Sequence, residues 1–105
     1  MHDERVIPKG VESIITVLCA DYFRRAAVIS DRTAPYNVIM EYRFLNYRIM
    51  NATLEVVGEK DAAEIIYDIG SKRGYAKSSC LISERSYKIK KEEVKRNIAR
   101  RLCLW

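Results

Sequence analysis

The sequence predicts an all-α protein: an antiparallel helical hairpin followed by a helix-turn-helix with a long basic last helix. Three observations predict it. Glycine and proline number only four and two in 105 residues, too few for a chain rich in tight turns. Apolar residues recur at steps of three and four through long segments, the period of a helix face. The charge also changes sign along the chain. Residues 1–70 hold eight Lys/Arg and eleven Asp/Glu, a balance of −3, whereas residues 71–105 hold eleven and three, a balance of +8.

The length suits one domain with one modest core, divided here into a hairpin over residues 1–58 and a helix-turn-helix over residues 59–105. Hydrophobic residues make up 49% and charged residues 31%, which excludes a disordered chain. Residues 1–9 read as a frayed start, with Pro8 opening the first helix. Val11 to Ser30 then carries Val11, Ile14, Ile15, Leu18, Tyr22, Ala26 and Ile29 at helical spacing, and reads as one helix. Arg24 and Arg25 interrupt it as a solvated or salt-bridged pair.

Asp31 and Pro35 mark a loop, since Pro35 disfavours a helical Ala34. The second helix should run from Tyr36 to Val57, with Val38, Tyr42, Leu45, Ile49, Ala52 and Val56 as its core face. Two helices joined by so short a loop pack antiparallel. Met40, Phe44, Tyr47, Met50 and Leu54 lie off that stripe. This surplus apolar surface either covers the C-terminal helices or makes the hairpin a dimerisation platform.

Gly58 should end the second helix as a left-handed cap. A third helix over residues 60–72 should bury Ala62, Ile65, Ile66 and Ile69. Its Asp61, Glu64 and Asp68 share one face, which reads as solvated. Ser78 or Ser79 then caps a short turn anchored by Leu81 and Ile82, and Ser83 caps the last helix. Tyr87, Val94, Ile98 and Leu102 form its apolar seam, with Arg85, Ile89, Glu92, Arg96 and Arg100 opposite. Lys91 falls beside the seam, its stem packed and its ammonium turned to solvent. Cys103, Leu104 and Trp105 form an apolar tail that packs back or anchors a partner.

A helix with a thin apolar seam and cations elsewhere suits a groove of double-stranded DNA. In a major groove Arg85 is the best base reader, because its fork bonds guanine bidentately, and Ser86 and Lys88 flank it. Ile89 either touches a thymine methyl or packs on the third helix or a partner. Lys77, Ser78 and Ser79 before the helix, and Lys95 and Arg96 further along it, face phosphates. Ser83 at the helix start completes the set.

Catalysis and metal binding find little support. Cys19, Cys80 and Cys103 form no CxxC pair, and His2 is the only histidine. No cofactor is expected. The cysteines read as small buried hydrophobes in a reducing compartment, so the expected location is the cytoplasm. Neither a signal peptide nor an apolar run of membrane-spanning length is visible, so no membrane partner is expected.

The run Ile82-Ser83-Glu84-Arg85-Ser86-Tyr87-Lys88-Ile89-Lys90-Lys91-Glu92-Glu93-Val94, followed by Ile98-Ala99 and Leu102, resembles the C-terminal motif of ArpU-type phage transcriptional regulators. That motif reads roughly I-S-E-R-T-Y-Y-x-x-K-x-x-A, then an apolar-Ala pair and a Leu. More distantly it is similar to region 4 of sigma-70-like factors, a helix-turn-helix that reads promoter DNA. The resemblance covers residues 60–104. It implies a phage or prophage transcriptional regulator that binds DNA, in keeping with a dimer. The alternative is a protein-interaction module of a mobile element, in which the same helices bind a host protein such as RNA polymerase or a defence nuclease.

Overall fold

The computed structural model describes residues 6–71 and 83–105, and the fold is all-α. Five helices lie among the described residues: α1 Lys9–Ala20, α2 Tyr22–Asp31, α3 Tyr36–Val57, α4 Glu59–Ser71 and α5 Glu84–Arg101. The short turn expected around Ser78 to Ile82, and Cys80 with it, lies outside the described residues.

Pro8 and Pro35 sit at the N-caps of α1 and α3 with extended ψ angles of 143° and 154°. The fixed φ of proline suits that junction. Each carbonyl accepts the first helical bond, from Glu12 at 2.9 Å and from Ile39 at 3.0 Å. Gly58 ends α3 with φ 79° and ψ 174°. The positive φ was expected, but this ψ lies outside the left-handed helical well, in backbone space that glycine alone enters readily.

The expected single helix from Val11 to Ser30 is two helices, broken at Asp21 (φ −94°, ψ −2°). Polar side chains take carbonyls around the bend. Arg25 Nη2 donates to the Leu18 carbonyl at 2.6 Å, and Asn46 Nδ2 donates to that of Tyr22 at 3.1 Å. Above the bend, α2 runs antiparallel to α3. Below it, α1 packs on α4 and touches α5. Gly70 permits the approach of α4, since a Cβ there would stand 2.5 Å from the Cα of Ala20.

The core gathers Ile15 and Cys19 from α1, Ile49 and Ala52 from α3, Ile65, Ile66 and Ile69 from α4, and Tyr87, Val94, Ile98 and Ala99 from α5. Burying each isoleucine contributes about 1.5–3 kcal/mol. The inward face of α3 differs from the expected one. Its buried residues are Ile39, Asn46, Ile49, Ala52 and Thr53, while Val38, Tyr42, Leu45 and Val56 are half-buried. Two of the buried residues are polar, and both are satisfied. Asn46 accepts from Arg25 Nε at 2.7 Å, and the Thr53 hydroxyl donates to the Ile49 carbonyl at 2.8 Å.

Arg25 is itself buried, and burial depresses its pKa. Arg24 Nη2 meets Asp21 Oδ2 at 2.6 Å, so the basic pair is salt-bridged, with Arg25 inside. Leu102, Leu104 and Trp105 pack against the core, whereas Cys103 is exposed, against expectation. Burial pushes the Cys19 thiol up to about 12, which leaves it a packing group rather than a nucleophile.

Candidate functional site

The candidate site is the outward face of α5, and its inward face explains how it is held. Ser83 caps the helix, its Oγ accepting from the Ser86 N–H at 3.2 Å. Glu84 in the first turn complements the helix dipole and lies 3.3 Å from Lys88. One turn on, Tyr87 is buried and its hydroxyl donates to Asp68 of α4. The Lys91 ammonium reaches the same carboxylate at 3.3 Å.

Two sequence expectations are corrected here. Asp68 is fully buried rather than solvated, and Lys91 turns its ammonium inward rather than outward. A buried carboxylate requires donors, and α5 supplies two of them one turn apart. Asp68 flanks the 62–65–66–69 apolar stripe of α4 on the Ile65 side, together with Asp61 and Glu64, so helix position alone does not mark it for burial.

Beyond that clamp, α5 runs antiparallel along α3. Lys90 Nζ donates to the Val56 carbonyl at 3.4 Å, at the C-terminal end of α3. Asn97 Nδ2 donates to the Ala52 carbonyl and to Glu55, each at 2.8 Å, and Arg101 also pairs with Glu55. The last helix therefore leans mainly on α3, with the Asp68 cluster as its bridge to α4. In the wider helix-turn-helix layout expected, the third helix would carry more of that load.

The expected contact residues separate into three groups. Ser83, Arg85, Ser86, Lys88 and Ile89 are all exposed on the first turns of α5, with Ile89 at 53%. Arg85 enters no ion pair among the described residues. Lys95 and Arg96 form the second group. Lys95 is buried, with its ammonium 2.9 Å from Glu12 and 3.0 Å from Glu92. Burial opposes its charge, but the Glu12 and Glu92 hydrogen bonds outweigh that and hold its pKa above the usual lysine range. Lys95 is thus tied to α1 rather than presented to a phosphate. Arg96 is half-buried and has a partner. Lys77, Ser78 and Ser79 make up the third group and lie outside the described residues.

A second surface draws notice. Between α2 and α3 lies a largely apolar groove of about 640 Å³, lined by Tyr22, Ala26, Ile29, Met40, Phe44, Tyr47 and Met50 together with Arg43 and Asn46. Of the surplus apolar residues of α3, Met40, Phe44, Tyr47 and Met50 thus line an open groove, and Met50 also packs against the core. No described helix is long and apolar enough to cross a membrane. Among the described residues, no group of three or more His, Cys, Asp or Glu is placed to hold a metal ion. No family model, curated protein or solved structure matches the chain.

Proposed function

We propose that this chain is a DNA-binding transcriptional regulator of phage or prophage origin. It acts by binding rather than catalysis, as a dimer, with the first turns of α5 as its reading surface. The observation that carries the proposal is the exposed run Arg85, Ser86, Lys88 and Ile89 on a helix whose Tyr87 is locked to Asp68. A helix entering a major groove contacts base edges with its N-terminal residues, and these are the residues α5 leaves uncovered. An exposed isoleucine between cations suits a thymine methyl beside phosphates. The resemblance to ArpU-type regulators falls on the same turns.

The test is enrichment of bound duplexes from a randomised pool, then fluorescence anisotropy on the enriched and scrambled sequences at two salt concentrations. Arg85→Ala should shrink the preference for the enriched sequence by about 1–3 kcal/mol. Lys88→Ala should weaken both duplexes alike and reduce the salt slope by about 1. Folded protein that binds no duplex at low salt would exclude the proposal.

In a second reading, the basic face meets an acidic surface on a host protein such as RNA polymerase or a defence nuclease. The exposed groove between α2 and α3 favours it. Stoichiometric recovery of one host protein after nuclease treatment, without a DNA footprint, would select it.

A further inference from the structure

We propose that the face of α3 centred on Phe44 joins two copies of this chain, α3 against α3, antiparallel about a twofold axis. This deepens the dimeric reading above and rests on it.

Phe44 and Tyr47 are 61% and 67% exposed, large aromatics on the outer face of the longest helix. Phe44 stands as a ridge between two hollows. On one side is the groove of about 640 Å³, lined by Ala26, Ile29, Met40 and Met50 with Arg43 at its edge. On the other is a hollow of about 390 Å³ lined by Glu41, Leu45, Arg48 and Leu102. One face thus carries both a projection and the space to receive one.

The charges select the occupant. Glu41 and Arg48 are exposed, border the same hollow, and enter no ion pair among the described residues. They lie seven residues apart, about 10.5 Å along the axis, with Phe44 between them. A twofold contact requires a patch that is its own complement. An antiparallel pairing centred at Phe44 and Leu45 sets each Glu41 opposite Arg48 of the partner subunit. It also sets each Phe44 beside Leu45 of the partner subunit, at the hollow that residue lines. A parallel pairing would oppose like charges. A foreign partner would need no such symmetric placement of one acid and one base about an aromatic, so the pattern points to a second copy.

The test is sedimentation equilibrium of the full chain across the micromolar range, without DNA. The wild type should sediment at twice its 12.2 kDa mass. Phe44→Ala, Glu41→Arg and Arg48→Glu should each weaken association at least about ten-fold, with unchanged far-UV circular dichroism. Mixing the Glu41→Arg and Arg48→Glu chains in equal amounts should restore the dimer, since one chain then offers two cations where the other offers two anions. A wild type that stays monomeric, single charge reversals that leave the dimer intact, or a mixture that stays monomeric would each overturn the proposal. Monomers that still select DNA would refute this surface alone. Dimers that bind no duplex would refute the DNA function alone.

Discussion

Tyr87→Phe removes one oxygen and nothing else from the clamp that seats α5. The hydroxyl donates to Asp68, a carboxylate with no exposed surface that also meets Lys91 at 3.3 Å. The phenylalanine ring fills the same space, so no large cavity enters the balance. A hydrogen bond to a charged acceptor contributes about 1.5–3 kcal/mol, and Asp68 would lose one donor while remaining buried. A loss of about 2 kcal/mol multiplies the unfolded fraction about 30-fold. A chain of this size has a urea slope near the low end of ~1–3 kcal/mol/M, so the midpoint should fall by about 1.5 M at unchanged slope. Asp68→Ala should cost more, about 3–5 kcal/mol, because it leaves the Lys91 ammonium without its anion. Urea titration followed by circular dichroism at neutral pH measures both. A Tyr87→Phe midpoint within about 0.3 M of wild type would refute the argument, since the hydroxyl would then hold nothing that water does not.

Three further perturbations probe other parts of the fold. Gly70→Ala drives a Cβ to 2.5 Å from the Ala20 backbone, whereas Gly10→Ala meets nothing within 4 Å. The first should cost about 2 kcal/mol or more and the second should add about 0.5–1 kcal/mol, as thermal melts of the two variants would show. The hydrogen bond from Arg24 holds the Asp21 carboxyl below its usual range. A depressed folded pKa stabilises the protein above the unfolded value of about 3.9, and that contribution is lost as pH falls through the folded value. The stability gap between wild type and Asp21→Asn should therefore be full at neutral pH and close in strong acid, measured by urea midpoints across that range. Lys95→Gln should cost about 1–2 kcal/mol in a urea titration and leave the salt slope of DNA binding unchanged, because its ammonium is tied to Glu12 and Glu92. A slope reduced by about 1 would show Lys95 leaving those carboxylates for a phosphate.

Much of the candidate face was legible in the sequence, because helix position alone places Arg85 and Ile89 opposite Tyr87, Val94 and Ile98, with Lys88 on the flank. The burial of Lys95 is not legible there, because nothing near it in sequence reveals that Glu12 of α1 lies 2.9 Å from its ammonium. Asp68 is a parallel case. Its spacing with Asp61 and Glu64 reads as a solvated acidic face, and only the approach of α5 supplies the hydroxyl and ammonium that make its burial tolerable.

The sequence by itself determined where α3 begins and ends and where α5 begins, because those signals are local. Pro35 and Gly58 bracket α3 from Tyr36 to Val57, and the Ser83 side chain fixes the start of α5. Which side of α3 faces inward was a tertiary decision. Counting apolar residues favours the stripe through Val38, Tyr42 and Leu45. The folded chain instead buries Asn46 and Thr53, since Arg25 and the Ile49 carbonyl satisfy them. That choice leaves Phe44 and Tyr47 exposed on the outside of the protein. The break at Asp21 arises the same way, from side chains that meet backbone carbonyls only after α2 and α3 have packed. Periodicity reports the hydrophobic effect along one helix, whereas the pairing of buried polar groups exists only between helices.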